Sequence, residues 1–354
     1  MTTITTHPGI YVSEDTSLNF SVIGTATVIP AFLSNGGQKG IPAGAYHRFK
    51  SWAEVKAVIP DDHSDQYYYI ALRFWFSQGG GTCYILDYDQ LRKNDFPDDI
   101  TLIVANGQTD HVTQYFDNFI TGKQLFVLLD GPGTKIAADV DPSATMSKYP
   151  ASPYAAAFYP WAMSDWATIP VAPSVVAVVA IALTDRTRGV WKAPANVVIN
   201  GITPQYPVTD DLQGQFNQGK ALNMIRTFPN VGTVVWGART LDDSDNWRYI
   251  PVRRLFNMVE RDIQKALNKL IFEPNSQPTW QRVKAAVNNY LHALWKQGAL
   301  VGNKEEEAWF VEIGKGITMT EDDINQGKMI IKIGLAAVRP AEFIILQLSQ
   351  DIAQ

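Results

Sequence analysis

A single cysteine, Cys83, in 354 residues excludes an internal disulfide and a cysteine-built metal site, and points to synthesis in a reducing compartment. A basic excess is also missing. The 30 Lys+Arg stand against 35 Asp+Glu, a net charge of −5, so neither a nucleic-acid partner nor an anionic membrane is favoured. No long apolar run is present. The most apolar stretch, 171–183, contains Pro173 and falls short of the roughly 20 residues that span a bilayer; it reads as a buried strand or helix. Met1 to Pro8 shows no basic region followed by an apolar run, so no secretory signal is expected. Charged residues make up 18% of the chain, below the usual quarter or so, which leaves more surface for protein contact.

Motifs that carry chemistry are equally scarce. Gly79-Gly80-Gly81 and Asp130-Gly131-Pro132-Gly133-Thr134-Lys135 are glycine-rich, but neither has the spacing of a nucleotide-binding loop, and both read as turns. The histidines His7, His47, His63, His111 and His292 are scattered, with no pair four apart and no acidic partner at zinc spacing. The acidic pairs at Asp61-Asp62, Asp98-Asp99 and Asp322-Asp323, and the run from Asp242 to Asp245, lack the central glycine and terminal glutamate of a calcium loop. No serine sits in a nucleophile elbow, and Cys83, beside Tyr84 and Ile85, reads as a buried thiol. No catalytic residue, metal ligand or cofactor site is therefore assigned. Two readings remain beside a structural one: an α/β ligand- or nucleotide-binding enzyme with its site at the carboxyl ends of parallel strands near Asp130 to Gly133, and a surface-binding module built on exposed aromatics.

What the chain does contain is patterned. From about 20 to 241, short apolar runs bounded by Gly, Pro and Asp alternate with amphipathic stretches, an α/β pattern. Strands are expected at 22–29, 82–86, 125–129, 197–199 and 233–236, helices at 51–57, 67–78, 112–120 and 175–185, and a surface loop at 143–153. In the last third, Val252, Leu255, Phe256, Val259, Ile263, Ala266, Leu267, Leu270 and Ile271 recur at helical spacing, with Arg253, Arg254, Arg261, Lys265 and Lys269 on the other faces. Pro251 starts this helix and Glu273-Pro274 ends it, giving a rod of roughly 30 Å. A second helix begins near Pro278, carries Trp280, Val283, Val287, Tyr290, Leu291 and Leu294 on one stripe, and stops at Gly298. The period then switches to two through Trp309, Val311 and Ile313, and again through Met329, Ile331, Ile333 and Leu335.

Both chain ends carry β-type segments. Gly9, Ile10, Tyr11 and Val12 form one; Phe343, Ile344, Ile345, Leu346 and Leu348 form the other. A strand near a terminus exposes unpaired backbone groups unless something covers them. Strand addition to a neighbouring copy is a way to do so.

The order of several motifs resembles the contractile tail sheath family. They are GVWKAPAN at 189–196 with Ile199-Asn200-Gly201, VWGARTL at 235–241, Trp247-Arg248-Tyr249-Ile250, Val252-Arg253-Arg254-Leu255, FEPN at 272–275, Trp280, Gly298-Ala299-Leu300 with Gly302, and RPAEFI at 339–344. The opening Pro8-Gly9-Ile10-Tyr11-Val12 is similar to the family's start. The chain's length is most similar to sheath subunits of extracellular phage-tail-like injection particles of the antifeeding-prophage type. The resemblance implies an N-terminal arm (1–19), an α/β sheath domain (20–245, its outer part within about 36–190), a C-terminal inner α+β domain of two long helices on a small sheet (246–338), and a C-terminal arm (339–354). It implies that Gly9 to Val12 and Phe343 to Leu348 are strands donated to neighbours, and that Trp309, Val311, Ile313, Ile331, Ile333 and Leu335 belong to the receiving sheet. Arg253 and Arg254 become candidates to face the inner tube, and hinges fall at 14–18 and 339–341. The implied partners are other copies in hexameric rings, an inner tube protein, baseplate and tail-terminator proteins, and sheath paralogues, with no nucleic acid and no membrane insertion. The implied setting is assembly in a bacterial cytoplasm followed by release as part of an extracellular particle.

Overall fold

The computed structural model describes residues 21–35, 46–59 and 65–342. In chain order, β1 (Pro30–Ser34) and β2 (Tyr46–Phe49) precede helices α1 (Trp52–Val58) and α2 (Tyr67–Ser77). β3 (Cys83–Asp87), α3 (Tyr88–Lys93), β4 (Leu102–Val104), α4 (Thr109–Ile120) and β5 (Phe126–Asp130) follow. Next come α5 (Pro142–Met146), β6 (Ala155–Tyr159), β7 (Ala162–Met163), α6 (Pro173–Arg188), β8 (Val197–Val198) and β9 (Thr203–Pro204). α7 (Asp210–Gln215), β10 (Leu222–Phe228) and β11 (Gly232–Trp236) lead to the last third: α8 (Ile250–Leu267), α9 (Gln277–Lys296), α10 (Glu305–Ala308), β12 (Trp309–Ile313), α11 (Glu321–Asn325) and β13 (Ile331–Leu335).

A nine-stranded sheet in the order β2-β3-β1-β4-β5-β6-β10-β11-β8 organises the chain up to about residue 250. The central neighbours from β3 to β10 run parallel, and β2, β11 and β8 add antiparallel edges. Parallel strands need helical crossovers, which cover both faces and leave the strands buried throughout; β1, β3, β5 and β6 are buried at every position. The two-residue alternation of a strand sorts their side chains into two cores. Phe32, Ile85, Leu102, Phe126, Leu128 and Phe158 pack with Trp75 of α2 and the valines of α6. Ala31, Leu33, Ile103, Val127, Leu129 and Tyr159 pack with Val112, Phe116 and Phe119 of α4.

The ambiguous apolar run at 171–183 is helical. Pro173 at the first turn fixes the entry of α6, and burial around nearly its whole circumference outweighs the strand preference of its valines. Other expectations are corrected. Residues 22–29 form no strand: the Thr25 amide donates to Asp262 (2.9 Å) and the Ile29 amide to Thr101 Oγ1 (2.8 Å), and backbone pairing begins only at the Ile29 carbonyl, which accepts from the Thr101 amide (2.9 Å). The strand starts at Pro30, a first position that tolerates a residue without an amide hydrogen. The stretch 143–153 is partly helical as α5, which Asp141 caps. The first long helix is α-helical only to Leu267 and ends in a 3-10 turn, Asn268–Leu270, so Ile271 stands 60% exposed rather than on the buried stripe.

A third core gathers Leu255, Val259 and Ile263 of α8, Val283, Val287 and Leu291 of α9, and Trp309, Val311 and Ile313 of β12, with Ile331, Ile333 and Leu335 partly buried against it.

Candidate functional site

β12 and β13 pair antiparallel, Trp309 opposite Leu335, Val311 opposite Ile333 and Ile313 opposite Ile331. Alternation sends Trp309, Val311 and Ile313 into the third core, each about 5% exposed, and leaves Phe310 46% exposed. The Phe310 ring lies over the bare backbone of Gly334, where an added Cβ would come within 2.1 Å of the ring. A side chain at this strand position would displace the Phe310 ring.

The hydrogen bonds of this ladder fix which way each residue faces. The Ala336 amide donates to the Ala308 carbonyl (2.9 Å) and the Val301 amide to the Ala336 carbonyl (2.8 Å), so even-numbered residues of β13 face β12. Because main-chain groups of successive strand residues point to opposite sides, Ile331, Ile333 and Leu335 aim theirs at the outer edge. Val311 and Ile313 do the same on the other side. Among the described residues no further strand pairs with either edge. The six residues expected in a receiving sheet thus share one two-stranded ladder. The expected arm strands, Gly9 to Val12 and Phe343 to Leu348, lie outside the described residues.

The described segments next to both expected arms are fixed on the body. On the N-terminal side, Asp262 of α8 accepts from the Thr25 amide and hydroxyl and from the Tyr290 hydroxyl of α9 (2.7 Å), while Arg261 reaches Thr25 Oγ1 (3.2 Å). Burial and the neighbouring Asp262 push the Tyr290 hydroxyl's pKa up, so it stays protonated and keeps donating. On the C-terminal side, Glu342 accepts from Arg239 through Nε (3.0 Å to each oxygen) and Nη2 (2.7 Å). The Tyr249 hydroxyl (3.2 Å) and the Asn217 side-chain Nδ2 (3.4 Å) also donate to it.

Arg253 and Arg254 require a correction. Their expected place was the polar face of the first long helix, where a guanidinium could meet a tube, yet they are only 3% and 5% exposed. Arg254 forms a two-pronged pair with Asp185 of α6 (2.8 and 2.7 Å) and donates to the Thr27 carbonyl. The Arg253 guanidinium lies over the Trp247 and Tyr154 rings (4.3 and 4.7 Å) and donates to Asn257 (2.8 Å). A second layer of protein covers that face of α8, and the side chains of the Arg-Arg pair join the two layers.

The crevice at the carboxyl ends of β4 and β5 is filled by the chain itself. The Asp130 carboxylate accepts from the Gly107 amide (2.7 Å) and from the Ser174 amide at the start of α6 (2.8 Å). Burial pushes its pKa up, against the lowering effect of these donors. The Gly131 amide is used by the Phe158 carbonyl (2.7 Å), and the Trp161 indole donates to the Gly131 carbonyl. The amides of Gly107, Gly131 and Ser174 around this crevice are thus already committed within the chain. Burial, with Glu54 second, drives the Cys83 thiol far above its usual range, and this keeps it protonated and unreactive. Among the described residues no cluster of His, Cys, Asp or Glu is placed to hold a metal, and no helix is long and apolar enough to cross a membrane.

Sequence reading missed Arg239, Glu342, Asp185 and Asp262. The first two lay inside VWGARTL and RPAEFI, but 103 positions separate them, and no spacing rule predicts that they meet.

A family model for the phage tail sheath C-terminal domain matches residues 242–350. No curated protein matches significantly. Among solved structures, the sheath complex of PVC, an extracellular contractile injection system, in its contracted state shares 47% identity, with 99% of each chain covered and a TM-score of 0.90. A chain of the contracted anti-feeding prophage baseplate shares 56% identity, covering 98% of this chain and 99% of that one, with a TM-score of 0.89. The sheath tail protein of Desulfitobacterium hafniense shares only 10% identity over 93% of this chain, at a TM-score of 0.60, and speaks for the fold alone. On that identity across the full length, the chain belongs to the tail-sheath proteins of extracellular contractile injection systems, structural subunits rather than enzymes.

Proposed function

We propose that copies of this chain stack as rings, hexameric by family resemblance, around an inner tube, each linked to its neighbours by donated strands, and that the lattice contracts to drive the tube through a target envelope. The observation that carries this reading is the two-stranded sheet of β12 and β13, neither edge of which is paired among the described residues. Gly9, Ile10, Tyr11 and Val12 of one neighbour and Phe343, Ile344, Ile345, Leu346 and Leu348 of another supply strands for those edges.

Four or five backbone bonds at about 1 kcal/mol each and partial burial of three apolar side chains at up to about 2 kcal/mol each give on the order of 10 kcal/mol gross. Ordering an arm costs about 1–2 kcal/mol per residue. A single arm therefore holds weakly, and a lattice of arms holds firmly. The energy of contraction comes from the interface that forms between neighbouring bodies as they rotate, so the stroke requires no nucleotide.

The separation of the cores supports the proposed division at about residue 246: the first two belong to the nine-stranded sheet, and the third is centred on α8, α9 and β12. Baseplate association and residence in an extracellular particle are supported by the PVC sheath and anti-feeding prophage baseplate structures that similar chains belong to; a tail terminator and sheath paralogues are the further partners this reading expects. Deleting 343–350 tests the reading. The shortened chain folds as a monomer with native circular dichroism and forms no tubes under negative-stain electron microscopy; normal tubes from it would refute strand exchange.

A further inference from the structure

We infer that the contact between Arg239 and Glu342 is the anchor from which the C-terminal arm leaves the body, so that bending and tension begin after Glu342 and are delivered to the nine-stranded sheet. The inference rests on the strand-exchange reading and adds the residues that position the arm.

The Val338 amide donates to the Ala299 carbonyl (3.2 Å) beside the small sheet, and four positions later Glu342 is held by Arg239, Tyr249 and Asn217. The expected hinge, 339–341, is therefore tied at both ends and bridges the two parts of the molecule. The Arg239 and Glu342 side chains are 11% and 22% exposed, so water screens the pair less than an open surface bridge. A fork of guanidinium N–H groups on one carboxylate fixes direction as well as distance.

The anchor also has a rigid base. The Arg239 amide donates to Asn223 Oδ1 (2.8 Å), and the Asn223 side-chain amide donates to the Arg239 carbonyl (2.8 Å) and the Ala157 carbonyl of β6 (3.1 Å). Asn223 is 3% exposed, on β10. A Cβ at Gly237 would come within 2.7 Å of Asn223 Oδ1, so a larger residue in this turn would push Asn223 out of place. Force on residue 343 passes through Glu342, Arg239 and Asn223 into β6 and β10. The small sheet, occupied by neighbours' strands, stays outside that path.

The test compares Glu342→Gln, Glu342→Asp and the 343–350 deletion in the full-length chain, by pelleting of tubes across protein concentration and by the thermal midpoint of unassembled protein. Glu342→Gln removes the charge and keeps the shape. Its expected result is a rise of about tenfold in the concentration needed for tubes, about 1.4 kcal/mol, with the midpoint unchanged. Glu342→Asp, which keeps the charge, recovers part of the loss. If the deletion abolishes tubes while Glu342→Gln assembles as wild type, the anchor is refuted and strand exchange stands. If both assemble normally, strand exchange itself falls. A midpoint that drops in step with assembly would assign the pair to fold stability and overturn a positioning role.

Discussion

The two sheets of this protein are built on opposite terms. Strands β1, β3, β5 and β6 of the nine-stranded sheet are buried at every residue, and the sheet has helices on both faces and two cores of its own. The β12–β13 ladder has one face on a core, mixed exposure along β13, and no strand on either edge among the described residues. One sheet is completed by its own chain. The other is an edge-rich platform of the kind natural proteins cover or use for association. In the proposed lattice the first suits a body that moves as a unit and the second a site where neighbours are joined.

The strongest way to break this contrast lies at the seam between α6 and α8. Asp185→Ala leaves Arg254 buried without its partner and is expected to cost about 3–5 kcal/mol, read as a lower denaturant midpoint of the monomer; a neutral result would mean that the two layers are joined by something else. Next, Leu128→Ala in β5, fully buried, should cost about 2–5 kcal/mol. Ile333→Ala in β13, only partly buried, should cost less than about 1.5 kcal/mol in the monomer while weakening tube formation more. Equal monomer losses would erase the distinction between the sheets.

The smallest effect is a pH one, confined to α11. Amide and hydroxyl hydrogen bonds from Thr320 hold the Asp323 carboxyl below its ordinary 3.8, with Lys328 adding to the effect. Its folded pKa is depressed, so the stabilisation it gives is present above pH 3.8 and is lost as pH falls through the lowered value. Titration by nuclear magnetic resonance should show this carboxyl ionising below 3.8 in the wild type and nearer the ordinary value in Thr320→Ala, with no change in the global midpoint.

Local signals made much of the chain legible. Short apolar runs with bounding turns mark 82–86, 125–129 and 233–236 as strands, and helical spacing with Pro251, Pro278 and Gly298 outlines the long helices. β6 was missed because Ala155, Ala156 and Ala157 favour helix by propensity; their burial between β5 and β10 makes them a strand. Arg253 and Arg254 were misread because periodicity identifies the most apolar face of a helix, and α8 is covered on more than one. The clamp on Glu342 was legible only as two separate motifs.

The sequence alone determined the class of the long helices and of several strands, the absence of familiar catalytic spacings and the family resemblance, because these depend on residue type and on neighbours a few positions away. Tertiary structure decided that Asp130 fills its own crevice, that Asp185 neutralises Arg254, and that Arg239 holds Glu342. Such contacts depend on where the chain returns in space, and burial then fixes which polar groups must find each other.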